Sequence, residues 1–247
     1  MKANYTHLSV LVDRSYSMIG LKDAVIEGIN GLISTQKQEP GELTMTYADF
    51  DTAYDVHFSF KNIQDVQLLT DKDFVPRGST ALNYAMARLI DETGKRLAEM
   101  SEDERPEKVL FVVYTDGAEN ASPDEWYGAN GSRLLKEKIE HQASKYNWQF
   151  VYLGANQDAF AVGSSLGMTG GANFQANDGS AKASWTAISK KMSFYRSASV
   201  GSEEYSRGFT VTTADVLQEE KEQEVTDSTS TTSNGTTSTN TTTTSNT

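Results

Sequence analysis

Residues 108–117 read KVLFVVYTDG, the most hydrophobic run of the chain and rich in β-branched side chains. A strand whose middle, residues 109–114, is apolar at every position has no solvated face, so it needs cover on both sides. A mostly parallel sheet between two layers of helices meets that need, and the rest of the sequence alternates accordingly. HLSVLVD (7–13) is a second buried strand, and WQFVYLGAN (148–156) a third. LTMTYADF (43–50) and YDVHFSF (54–60) alternate apolar and polar residues, as two strands paired through DTA. ANFQAN (172–177) suits a sheet edge. Between the strands lie amphipathic stretches. Residues 21–38 carry Leu21, Val25, Ile29, Leu32 and Ile33 at helical spacing and stop at EPGE. Residues 79–100, 131–147, 158–168 and 180–198 read as further helices, the last using Trp185, Ile188, Met192 and Tyr195. The expectation is an α/β fold with one domain over residues 1–200.

From about residue 201 the periodicity fades. QEEKEQE (218–224) is a charge run, so 201–227 reads as an acidic extension or linker. Residues 228–247 are Ser, Thr and Asn with one Gly. Such a segment cannot bury enough surface to offset its ordering entropy, and it reads as a disordered tail. A glycosylated stalk would require secretion, and the N-terminal hydrophobic stretch is a short strand ending in Asp13, not a signal peptide. No run approaches the roughly 18 apolar residues that span a bilayer. The expected location is therefore the cytoplasm, away from membranes. The chain has no cysteine, which excludes disulfides and thiolate metal sites. A net charge of −12 argues against nucleic-acid binding and suits a protein that attracts cations.

Three segments carry the chemistry. Asp13, Ser15 and Ser17 follow the first strand at every second position, Thr80 lies in VPRGSTAL, and Asp116 follows the central strand in VVYTDGAEN. In an open α/β sheet, ligands sit beyond the carboxyl ends of the strands, where Asp13 and Asp116 are both expected. Two carboxylates and three hydroxyls are hard oxygen ligands, the chemistry of Mg²⁺, with Mn²⁺ or Ca²⁺ as alternatives. The carboxylates would neutralise the ion, while hydroxyls and water would leave it electrophilic. It could then accept one more oxygen from outside, best a carboxylate.

This set resembles the metal-ion-dependent adhesion site (MIDAS) of the von Willebrand factor type A family. That family's pattern is D-x-S-x-S, then a Thr in a second loop, then an Asp in a third. All five positions are matched in order by Asp13, Ser15, Ser17, Thr80 and Asp116, with GSTAL and TDG around the last two. The resemblance covers roughly residues 5–200. It implies a six-stranded, mostly parallel sheet in three layers, a Rossmann-like arrangement. It also implies metal contacts from Ser15, Ser17 and, in one state, Thr80, with Asp13 and Asp116 often acting through water. The open coordination position takes an acidic side chain of a partner protein. Tyr16 stands where many members have Gly, close enough to shape partner choice. DRSYSM, TDGAENAS and YNWQFVYLGAN are similar to prokaryotic and phage members. Such relatives work beside AAA+ ATPases, in stress-resistance operons and in phages, so either an ATPase or an assembly component is a partner to expect.

Competing readings accompany each residue. Asp13, Ser15 and Ser17 could merely shape a turn and cap a helix, and Ser79 or Thr80 could cap the helix that follows. Glu119 and Asn120 suit either support of the site or a solvated loop. Asp49 and Asp51 suit a hairpin turn, His57 an outward-facing strand position, and His141 a helix surface. GSSLG (163–167) matches the nucleophile-elbow pattern around Ser165, but a helix precedes it and no His follows residue 141. A Mg²⁺-dependent phosphohydrolase using Asp13 would need a second Asp two residues on, where Ser15 stands. A virion or assembly component is a third alternative. The expectation is a divalent-metal-dependent protein-binding module, not an enzyme.

Overall fold

The computed structural model of the protein describes residues 1–155, 159–168 and 170–233. β1 (Lys2–Asp13) leads through a 3₁₀ turn (Tyr16–Leu21) into α1 (Lys22–Gln36). A hairpin of β2 (Glu42–Phe50) and β3 (Tyr54–Asn62) follows, then α2 (Leu82–Glu99), β4 (Pro106–Thr115) and α3 (Gly128–Tyr146). The chain continues with β5 (Gln149–Ala155), α4 (Ala159–Ser165), β6 (Gly170–Phe174), α5 (Asp178–Ser197), α6 (Glu203–Ser206) and α7 (Thr213–Ser233). One six-stranded sheet has the order β3-β2-β1-β4-β5-β6. Among the described residues, only the β2–β3 pair is antiparallel; β1 pairs in parallel with both β2 and β4. This is the α/β, mostly parallel, helix-flanked sheet that the alternation predicts, with β6 at its edge. Asn156 and Asp158, at the ends of two predicted elements, lie outside the described residues.

The unbroken apolar run has the expected cause. Leu110, Val112 and Tyr114 of β4 join Leu8, Val10 and Val12 of β1 in a core under α1 and α5. Phe111 and Val113 join Leu11 in a second core under α2 and α3. Side chains alternate along each strand, so both faces are filled from the same run. Among the described residues, no helix is long and apolar enough to cross a membrane.

The folded unit extends past residue 200. Phe209, Val211 and Val216 are buried in the core beneath α1 and α5, and Thr212 bridges to Gly171 of β6. The acidic segment 201–227 is therefore not a linker. Asp215, Glu219 and Glu222 of α7 pair with Lys190 and Lys191 of α5 at 2.8–2.9 Å, so the charge run faces complementary charge. A few isolated apolar residues close the core there, too few to make a period in the sequence. α7 also carries helix into the expected tail, through Ser233; residues 234–247 lie outside the described residues.

α1 and α5 pack closely because Gly28 leaves room for Trp185. A Cβ at Gly28 would fall 2.2 Å from Trp185 Cδ1. The indole is buried and stacked on Tyr114, ring centroids 4.7 Å apart, so it cannot yield. Gly28→Ala is expected to lower stability by about 2–3 kcal/mol in urea unfolding, overpacking outweighing alanine's helix preference. Gly31 of the same helix has nothing within 4 Å of its Cβ position. Gly31→Ala should therefore gain up to about 1 kcal/mol. Equal effects of the two substitutions would show that the helix seam is not close-packed.

Candidate metal centre

The strand order reverses direction at β1 and β4, whose neighbouring chains leave to opposite sides of the sheet. Such a switch point opens a crevice at the carboxyl ends of the strands. β1 ends in Asp13 and β4 in Thr115, one residue before Asp116. The topology thus brings the first and third segments together, 99–103 residues apart in sequence, without any special loop.

The side chains there form a connected set. Asp13 is fully buried; its Oδ1 accepts the Ser15 N–H at 2.7 Å and its Oδ2 the Thr115 hydroxyl at 2.6 Å. The Ser17 hydroxyl donates to Asp116 Oδ1 at 2.7 Å and lies 3.0 Å from Ser15 Oγ. Because Ser17 spends its proton on Asp116, Ser15 is the donor of that second bond. A Cβ at Gly117 would lie 3.3 Å from Thr80 Oγ1 and 3.9 Å from Asp13 Oδ2. All three segments therefore meet around Gly117, which leaves that space open. Ser15 and Thr80 are buried, whereas Ser17 is exposed and Asp116 half-buried, so the set opens to solvent on their side.

The electrostatics favour a cation. Burial pushes Asp13 up to about 6, against the hydrogen bonds from Thr115 and Ser15, and the nearby Asp116 carboxylate adds to the rise. Burial also raises Asp116. Among the described residues, neither carboxylate has an ion-pair partner. Arg14 sits between Asp13 and Ser15 in sequence, yet its guanidinium faces the other way, 2.7 Å from Asp49 Oδ1 and 3.5 Å from Asp51 Oδ2, and pairs with Asp55. Among the described residues, no group of three or more His, Cys, Asp or Glu is placed to hold a metal ion. The donor set is instead two carboxylates and three hydroxyls, which fits a hard, partly hydrated divalent ion.

The structure corrects several expectations nearby. Thr80 does not cap α2; Ala81 occupies that position and makes no side-chain cap. Glu119 and Ser122 cap the helix from a distance: Glu119 Oε2 accepts the Asn83 N–H at 2.8 Å, and Ser122 Oγ the Tyr84 N–H at 3.1 Å. A carboxylate there also complements the positive end of the helix dipole. Asn120 Oδ1 accepts the Thr80 N–H at 2.9 Å, while the Thr80 carbonyl accepts from Asn120 and Ala121. Glu119 and Asn120 are thus a clamp joining the second and third segments, not a solvated loop. Their carboxylate and amide after TDG were the visible signal, but nothing local says which backbone they reach.

Asp51 does make the hairpin turn, accepting the Ala53 N–H at 2.6 Å. Asp49 and Asp51 are nevertheless buried and paired with arginines, while His57 is exposed on β3 as expected and sets its Nε2 2.8 Å from Asp49 Oδ2. His141 is exposed on α3. Ser165 ends α4 with its hydroxyl bonded to Val162 O at 2.7 Å, the geometry of a helix terminus rather than of a nucleophile elbow.

The sequence matches no family model and no curated protein. The fold does match solved structures. A von Willebrand factor type A protein from Catenulispora acidiphila superposes with a TM-score of 0.56 at 13% identity, over 77% of this chain and 43% of that one. The ArnB paralog VWA2 from Sulfolobus acidocaldarius gives 0.50 at 14% identity, over 76% and 45%. Proximal thread matrix protein 1 from the mussel byssus gives 0.55 at 13%, over 74% and 47%. This chain therefore has the von Willebrand factor type A fold. It spans less than half the length of each of these structures.

Proposed function

We propose that this chain is a divalent-metal-dependent protein-binding module, in which Asp13, Ser15, Ser17, Thr80 and Asp116 hold Mg²⁺, or Mn²⁺ or Ca²⁺, for an acidic side chain of a partner. One observation carries the reading: two carboxylates with no cationic partner among the described residues converge with three hydroxyls at the sheet's switch point. A bound ion would supply the missing charge and an electrophilic position for a further oxygen. The chain's own part is to hold the oxygens in place. Burial of Asp13 and its two hydrogen bonds orient one carboxylate, and Ser17 orients the other. Tyr16 is 71% exposed between the two serines, where a bound partner would meet it. Recognition, not catalysis, is the activity proposed, because Ser15 occupies the place where a phosphohydrolase of this type needs its acid/base carboxylate. An AAA+ ATPase or an assembly component is the class of partner in view.

The test has two stages. Calorimetric titration with Mg²⁺ and Mn²⁺ should show one site in the wild type and none in Asp116→Ala. Host proteins retained on the immobilised chain in Mg²⁺ should be released by EDTA and should not bind Asp116→Ala. Retention that ignores both the metal and the substitution removes the ion from the mechanism.

A further inference from the structure

The loop that delivers Thr80 is held by residues outside the ligand set. Arg77 N–H donates to Arg14 O at 2.7 Å and Tyr16 N–H to Gly78 O at 3.1 Å, which lays residues 77–78 along the segment carrying Ser15. Asp51 then grips this strap on both sides of Thr80. Its Oδ2 accepts from Arg77 Nε at 2.8 Å, and its backbone O accepts the Ala81 N–H at 3.0 Å. Gly78 sits at φ +67, and a Cβ there would fall 3.2 Å from Asp51 Cβ, so the strap lies directly on the aspartate. The backbone groups of Thr80 itself are spent on Asn120 and Ala121 from the opposite side. Thr80 is thus suspended between the β2–β3 turn and the Asp116 loop.

We propose that Asp51 and Arg77 are positioning residues for Thr80, fixing its hydroxyl at the metal centre through the 77–81 strap. The proposal rests on the metal-binding reading above. Arg77 suits the role because its side chain is 59% exposed, so the core does not depend on it. The sign of its effect separates positioning from simple charge. Removing a cation near a metal site strengthens metal binding by Coulomb's law alone, whereas releasing Thr80 weakens it.

Mn²⁺ affinity and metal-free hydrogen exchange of the full chain test this together. Arg77→Met is expected to weaken Mn²⁺ binding about tenfold, as loss of a ligand-orienting partner does, and Arg77→Lys to recover most of it. In a Thr80→Ala background, Arg77→Met should cost nothing further, since the residue through which it acts is gone. Without metal, the Ala81 amide should exchange faster in Arg77→Met, while the amides of Leu110 and Val112 keep wild-type protection and report an intact sheet. Unchanged or tighter Mn²⁺ binding by Arg77→Met overturns the proposal, as does an equal additional loss in the Thr80→Ala background. If the wild type binds no Mn²⁺, the metal reading fails, and Ala81 exchange decides the positioning role alone: faster supports it, unchanged overturns it.

Discussion

Replacing Asp13 by asparagine is expected to stabilise the metal-free protein and to abolish its response to Mg²⁺. Burial holds Asp13 at about 6 instead of near 3.8. A carboxyl whose folded pKa is raised binds its proton more tightly in the folded state than in the unfolded one. Its contribution therefore favours folding at low pH and is lost as pH rises from about 4 to about 6. Above pH 6 the buried charge costs on the order of 3 kcal/mol. A neutral asparagine side chain avoids that cost and keeps both hydrogen bonds, accepting from Ser15 N–H and donating to Thr115 Oγ1, a hydroxyl that can reverse its role. In EDTA at pH 7.5, Asp13→Asn should melt roughly 5–10 °C above wild type. Adding millimolar Mg²⁺ should then raise only the wild type, by mass action on the folded state. The loss of metal affinity should exceed the roughly 10–100-fold that follows removal of a merely supporting residue. An equal Mg²⁺ shift in both proteins would show that Asp13 is not part of the metal site. A lower melting point for the variant in EDTA would mean that the fold already compensates the charge.

Acid should expose the opposite effect at His7. The ring is fully buried and stacked on Phe60 with centroids 3.7 Å apart. Its nitrogens lie 2.9 Å from Thr44 Oγ1 and 3.2 Å from Ser9 Oγ. Burial lowers its pKa from 6.5 to about 3, so the folded state keeps the ring neutral while the unfolded chain protonates it. Stability from this group is present above pH 6.5 and is lost at about 1.4 kcal/mol per unit as pH falls toward 3. In the wild type without metal, the gain from protonating Asp13 partly masks this loss between about pH 6 and 4. His7→Asn cannot titrate and loses the Phe60 stack, so it should be the less stable protein at pH 7. Its deficit should shrink by about 2 kcal/mol between pH 6.5 and pH 5 in urea unfolding. A deficit constant over that range would mean that the folded ring protonates normally.

Much of the architecture is legible along the chain because strand and helix patterns are local. KVLFVVYTDG has no polar face, and the structure fills both sides of it. The spacing Asp13-x-Ser15-x-Ser17, Thr80 and Asp116 is equally local within each segment, and the strand order brings the three segments together. The C-terminal boundary was not legible. Phe209, Val211 and Val216 are too few to show a period, and they declare themselves only against α5 and β6.

What the sequence by itself determined is the class of elements, their order, and a set of hard oxygen donors placed at strand ends. Hydrophobic periodicity and ligand type are properties of short stretches, and they survive being read alone. The tertiary structure decided where the charges and caps go. Arg14 lies beside Asp13 in the chain but turns to Asp49 and Asp51, leaving the site's carboxylates without an ion-pair partner among the described residues. Glu119 caps a helix that begins 37 residues earlier, at Leu82. Asp51 and Asn120 hold Thr80 from opposite sides, across separations of 26 to 40 residues along the chain. A hydrogen bond or ion pair depends on a few ångströms of approach and on direction, and between distant residues only the packed sheet sets both.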